Sequence, residues 1–303
     1  MTKSLTLDRT TAHPAVATRP PWLDRGLFPF ESRYVQVGDH RIHYVDEGRG
    51  PTLLLVHGSP AWSFQYRSLI ARLRSTYRCV AVDMPGFGLS EPPPGFVLGL
   101  ESLGRAIESF VKRLDLERIT LAVHATGGPA AMGLAVREPD RIERLVIANS
   151  FAWPLRHHPS LHLMARFVGS RLFGLAQVHG RLLMRVFAAK GRRVAPFSNA
   201  ERAALLGPMT LSRRRGMQQL LRSLTREEAY LDELDRTLTR LRHVPALFTF
   251  GGHDKGYRAG TLERWQQRLP RHDTLVIDEA GHFLHEDAPD PIAEAIARFM
   301  ETS

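Results

Sequence analysis

Six runs of consecutive apolar residues set the frame of this sequence: "TLLLVHG", "RCVAVDMPG", "ITLAVHA", "RLVIAN", "PALFTFGG" and "TLVIDEAG". None shows the alternation of a strand with one wet face, so each predicts a strand buried on both faces. Between most of them lie stretches of helical period, such as "SFQYRSLIARLRS" and "LESLGRAIESFVKRL". Parallel neighbours need a crossover that packs back on the sheet, so this alternation predicts an α/β chain with a doubly wound, mostly parallel sheet. Ahead of them, "RYVQVG" and "HRIHYVDEG" alternate and meet at Gly38-Asp39, which predicts an antiparallel hairpin.

One gap breaks the rhythm. From Pro154 to Val244 the text is amphipathic and helical with no strand signal, far too long for a simple connection. It predicts an inserted helical cap lying over the carboxyl edge of the sheet. The expected division is a flexible arm at 1–25, a core at 26–154 and 243–303, and a cap at 155–242.

The charge is concentrated in that insertion. The chain carries a formal net charge of +10, and residues 155–242 hold 17 Lys or Arg against 6 Asp or Glu. Such a segment can meet nucleic acid, an anionic membrane surface or an acidic partner. Its arginines interleave with leucines at helical spacing, as in "RLLMRVFAAKGRR", and no nucleic-acid motif accompanies them. A solvated helical face is therefore expected and nucleic acid is not, with an anionic partner or surface left open for the cap.

No window approaches 18 uninterrupted apolar residues, so no membrane span is expected. The stretch "MTKSLTLDRTTAHPAVATRPPW" has no apolar core of a signal peptide, and the single Cys79 allows no intramolecular disulfide. Both point to the cytoplasm.

Doubly wound sheets place their sites at the carboxyl ends of the strands. There the sequence puts "HGSPAW" (57–62), whose Ser59 can offer a backbone N–H, and the turn "HATGGP" after "ITLAV". It also puts Asp254 in "GGHDKG" and His282 in "EAGHFLHE". This is the chain order nucleophile, acid, histidine. His282 would be the general base, with Asp254 fixing its tautomer and stabilising the imidazolium. The tip of the turn, where the nucleophile belongs, is Ala125.

The chain resembles an α/β-hydrolase of the haloalkane dehalogenase and epoxide hydrolase branch, over roughly residues 22–300. The resemblance rests on "PWLDRGLFPFESRY", "HYVDEG", "HGSPAWSFQYR", "DMPGFGLSEPP", "HATGGP", "GGHDKG" and "AGHFLHEDAPD". In relatives the turn reads His-Asp-x-Gly-Gly or Gln-Asp-x-Gly-Gly with Asp as nucleophile, and Ala125 stands at that position. The implied chemistry has two steps: a carboxylate displaces a leaving group at carbon, then water activated by the histidine cleaves the ester. The N–H groups of Ser59 and Thr126 would hold the oxyanion of the second step. No metal or organic cofactor is implied.

Thr126 as a substitute nucleophile would shift the motif by one and put His124 where a small residue is needed, so it is expected to line the pocket instead. His124 itself is expected to be a hydrogen-bonded core histidine. The alanine is then either a knocked-out nucleophile that leaves a substrate-trapping form, or the mark of a natural protein that binds without turnover. The retained acid, histidine and oxyanion turn favour the first. A parental Ser stays open beside Asp.

The resemblance leaves the apolar substrate open among halide, epoxide, lactone and ester. Dehalogenases of this branch hold the halide with a Trp after the nucleophile and an Asn after His-Gly, or a second Trp. Here those positions are Thr126 and Ser59, with Trp62 and Trp153 as candidates to reach in. Epoxide hydrolases use two cap tyrosines; this insertion offers Tyr230, with Tyr257 just beyond Asp254. A third group of relatives opens β-lactones with long chains, which an insertion rich in Leu, Met and Phe would suit. Asn149, at the end of "RLVIAN", is expected to support the site rather than react.

Overall fold

In a computed structural model, which describes residues 19–301, the apolar runs become the centre of one eight-stranded sheet. Its strands are β1 (Arg33–Val37), β2 (His40–Glu47), β3 (Thr52–Val56), β4 (Arg78–Val82), β5 (Ile119–His124), β6 (Ile142–Ala148), β7 (Ala246–Gly251) and β8 (His272–Ile277). They lie in the order β1-β2-β4-β3-β5-β6-β7-β8. The β1–β2 and β2–β4 pairings are antiparallel and the rest parallel. The hairpin turns at Gly38, whose φ of 55° is one that a residue without a Cβ adopts freely.

Helix α1 (Arg67–Leu73) follows β3, α2 (Leu100–Arg113) follows β4, and α3 (Gly127–Arg137) follows β5. Between β6 and β7 come α4 (Pro159–Val168), α5 (Arg171–Gly180), α6 (Leu182–Lys190), α7 (Asn199–Leu206), α8 (Leu211–Arg226) and α9 (Glu228–Thr237). Helices α10 (Lys255–Arg258) and α11 (Thr261–Arg268) follow β7, and α12 (Leu284–Asp287) and α13 (Pro289–Glu301) follow β8. Helix α1 packs on α13 and α2 on α3, the two helical layers of a doubly wound sheet. The chain leaves β3 for β4 on one side and then crosses to β5 on the other. The loops after β3 and β5 therefore part over a crevice, the place where such sheets hold ligands.

The inserted region is helical, as the periodicity implies, and is broken into short pieces by its caps. The hydroxyls of Ser170, Ser198 and Thr210 accept from Phe173, Glu201 and Arg213 N–H groups, and Glu201 returns a bond to the Ser198 N–H at 2.8 Å. Each satisfies a donor that a helix start leaves unpaired. A buried quartet of charges ties this region to the sheet layers. Arg67 meets Glu286 at 2.5 Å and Glu201 at 2.8 Å, and Arg192 meets the same two carboxylates at 2.9 and 2.6 Å.

Two expectations need correction. "TLVIDEAG" forms β8, but its strand has only β7 beside it. As an edge strand it leaves Asp273 and Thr274 exposed and is not buried on both faces. Within residues 19–25, expected to belong to a flexible arm, three side chains are held on the core: Arg19 donates to the Phe28 and Phe30 carbonyls at 2.6 and 3.0 Å, Leu23 is buried, and Trp22 meets Trp62 edge-on. The remainder of that arm, residues 1–18, lies outside the described residues.

Candidate active site

The loop after β5 carries the first candidate. Ala125 has a φ of 49°, the left-handed region that costs a residue with a Cβ about 1–2 kcal/mol. Its surroundings hold it there. Its carbonyl accepts from the Ser150 hydroxyl at 2.6 Å and from Gly128 N–H at 3.0 Å, while its own N–H reaches the Ala148 carbonyl at 3.3 Å. The glycines that follow are steric necessities. A Cβ on Gly127 would collide with the His57 carbonyl and one on Gly128 with the Ser150 hydroxyl, so only bare backbone lets α3 start this close to β3 and β6.

The loop after β7 carries Asp254 at the N-cap of α10, where Oδ1 accepts from the Tyr257 N–H at 3.0 Å. Its Oδ2 meets His282 Nδ1 at 2.6 Å. Burial alone would raise the Asp254 carboxyl, but the His282 ring and the Tyr257 and Gly256 N–H groups outweigh it and hold the carboxyl below its usual range. His282 comes from the loop after β8, and its carbonyl is pinned twice, by His124 Nε2 at 2.8 Å and by Asn149 Nδ2 at 2.9 Å. Asn149 also donates to the Gly281 carbonyl and accepts from the Gly251 N–H, so one amide joins the ends of β6 and β7 to the histidine loop.

Burial, with His282 as neighbour, holds His124 well below its ordinary value and pushes His285 down to about 3, so both rings stay neutral beside it. His124 is the core histidine the sequence implied. A second His–Asp pair, His43 and Asp83 at 2.8 Å, is fully buried, and the Ser63 and Leu89 N–H groups complete its carboxylate.

Ala125, Thr126, Ser59, Asp254, His282 and Asn149 line one cavity of about 440 Å³. The helical region supplies much of the remaining wall, including Leu161, Met164, Leu183, Phe187 and Leu221. The Ser59 N–H is bonded to the Thr126 hydroxyl at 2.8 Å, and Ser59 precedes a cis peptide to Pro60.

Three candidates lie elsewhere. Trp62 is buried among Trp22, Phe28 and Phe64 and donates to the Ala204 carbonyl at 3.1 Å. Trp153 donates to His158 at 3.0 Å and packs on Trp265. Tyr230 donates to the Pro129 carbonyl at 2.7 Å, in space left by Gly104 and Gly133. Each spends its polar atom on a core partner, and no Trp or Tyr is among the cavity's lining residues. The sequence reading assigned no role to Asp287. It accepts from the Gly281 N–H at 2.8 Å and the Arg193 N–H at 2.6 Å, fastening the histidine loop to the helical region. Its motif "HEDAPD" is visible in the sequence, but its partners are not.

The model of the α/β hydrolase fold family matches residues 51–289. The chain belongs to the α/β-hydrolases. Within them it falls in the haloalkane dehalogenase branch: it is 36% identical over 280 residues to haloalkane dehalogenase 2 of Mycobacterium tuberculosis, covering 90% of this chain and 96% of that one. It is also 31% identical over 284 residues to a cis-3-alkyl-4-alkyloxetan-2-one decarboxylase of Shewanella oneidensis, covering 90% and 89%. The crystal structure of a putative ancestral haloalkane dehalogenase superposes with a TM-score of 0.79 at 25% identity, covering 88% of this α/β-hydrolase and 98% of that chain.

Proposed function

We propose that this α/β-hydrolase takes an apolar substrate with an electrophilic carbon into the cavity above Ala125, and that the alanine withholds the covalent step. Residues 155–242 act as the cap over a core formed by 26–154 and 243–303. With an Asp at position 125, a carboxylate oxygen would bond to the substrate carbon while the leaving group departs with its electron pair, giving an ester where that carbon is saturated and a mixed anhydride where it is a carbonyl. Water would then add to the carbonyl of that intermediate, His282 Nε2 taking its proton. Asp254 would hold the imidazolium, and the Asp carboxylate would be released together with an alcohol from the ester or a carboxylic acid from the anhydride. The Thr126 and Ser59 N–H groups would receive the oxyanion, the second after exchanging the Thr126 hydroxyl for it.

The observation that carries this reading is the placement of Ala125 on the floor of the cavity that the His282–Asp254 pair also lines. The indole and phenol donors that relatives usually turn on a halide or an epoxide oxygen are missing from the lining, which favours a lactone or ester. Such a carbonyl can also be attacked directly by water that His282 deprotonates, so a slow route without a covalent intermediate survives in the Ala125 chain.

The test is Ala125→Asp against the parent on alkyl halides, epoxides, β-lactones and aryl esters. The Cβ is already in place, and Asp is among the residues that tolerate a left-handed backbone, so the substitution fits. Turnover of lactones or esters by the Asp form at about 10⁴-fold or more over the parent is expected, the scale of losing a nucleophile. A panel that neither form attacks, with a ligand still bound, would make the cavity a recognition site and overturn the reading.

A further inference from the structure

The outer face of the helices over the cavity has a charge pattern that cavity formation does not require. Residues 151–200 contain eight Lys or Arg and no Asp or Glu. Arg166, Arg171, Arg181, Arg185 and Lys190 are exposed, and none has a carboxylate partner among the described residues. On the same helices large apolar side chains also face water: Leu163 is 70% exposed, Phe167 63%, Leu172 79% and Leu175 62%. Helix α4 packs on α5 and α5 on α6, and the Phe167 and Phe173 rings meet at 5.4 Å, so the three helices present one continuous surface.

We propose that this surface docks on an anionic lipid bilayer. Exposed apolar side chains ringed by unpaired cations are what a protein lying in the headgroup region needs, with leucines in the acyl boundary and arginines among lipid phosphates. Charge decides against a second copy of the chain, because two such faces would set cations on cations with no acid to relieve them. The leucines decide against nucleic acid, whose phosphates would leave them uncovered.

Docking in this orientation also bears on the cavity. Met164 and Val186 line it and are themselves exposed, at 37% and 47%, so its wall reaches the docking face. A substrate with an alkyl chain would enter from the bilayer without crossing water. That route rests on the substrate reading above; docking itself does not.

The test is sedimentation of the full chain with vesicles of equal phosphatidylglycerol and phosphatidylcholine, against phosphatidylcholine alone. Binding is expected to the anionic vesicles only, and to weaken as salt is raised. Arg171→Gln/Arg185→Gln should weaken it about twenty-fivefold, at about fivefold per cation. Leu172→Ser/Leu175→Ser should weaken it at unchanged charge, whereas Arg118→Gln, just before β5 and at the opposite end of that strand from Ala125, should not change it. All four side chains on the face are exposed, so melting curves should match the parent. Equal binding to both vesicles, or binding indifferent to the leucine pair, overturns the proposal. So does a dimer in light scattering that the leucine pair breaks while vesicles stay unbound. Ligand binding in vesicle-free buffer reads the cavity separately, so either reading can fail alone.

Discussion

Replacing Glu286 by Gln keeps the side chain's volume and removes one charge from the buried quartet. The Glu286 carboxylate is 2% exposed and accepts from Arg67 at 2.5 and 2.8 Å and from Arg192 at 2.9 Å. After the change two guanidiniums share the single carboxylate of Glu201. Charge-assisted bonds are worth about 1.5–3 kcal/mol each, and breaking a buried pair by removing one partner costs about 3–5 kcal/mol. A Gln oxygen still accepts one bond, so the lower figure, about 3 kcal/mol, is expected. At roughly 2 °C per kcal/mol for a chain of this size, the melting temperature should fall about 6 °C by scanning calorimetry. The double substitution Arg67→Met/Glu286→Met removes one charge of each sign and leaves the Arg192–Glu201 pair intact, with Met still able to cover the Phe64 ring that Arg67 overlies. It should cost less than the single change, because no charge is left alone. A single-variant loss below about 1 kcal/mol, or a double variant less stable than the single, would refute this account of how the inserted helices are tied down.

The same quartet sets an acid limit. Burial opposes ionisation of Glu201, but Arg192 and the Ser198 groups hold its carboxyl at about 2, against 4.5 when unfolded. Its contribution is therefore full above pH 4.5 and lost as pH falls toward 2, and Glu201→Gln should flatten that part of the stability profile measured by urea titration. Asn149→Ala removes two donated bonds and one accepted bond that join three loops, at about 1 kcal/mol each. A loss of about 3 kcal/mol is expected, with the His282 ring resonances broadened in NMR spectra. Unchanged stability and spectra would remove Asn149 from any role in fixing the histidine.

The strands and their order of appearance were legible because a parallel sheet buried on both faces writes itself as short unbroken apolar runs. The exception, β8, carries the same kind of run, yet nothing local marks which strand ends the sheet. Asp254 and His282 were legible because position after a strand is a sequence property, and the fold turns that position into proximity. Trp62, Trp153 and Tyr230 were not. A large side chain near a motif can face the cavity or the core, and partners such as the Ala204 and Pro129 carbonyls decide the matter only once distant helices have packed. The quartet is hidden for the same reason, since Arg67 and Glu286 stand 219 positions apart.

The central claim is that position 125 is the point where a carboxylate would bond to substrate. Intact-mass spectrometry of Ala125→Asp/His282→Gln tests it directly, using a substrate that Ala125→Asp turns over. With the general base gone, the ester or anhydride should accumulate, and the protein mass should rise by the substrate less any leaving group, on a peptide containing residue 125. The parent chain should show no such gain. An Asp form that turns substrate over while the double variant stays unmodified would contradict the account, because the chemistry would then run without a bond to residue 125.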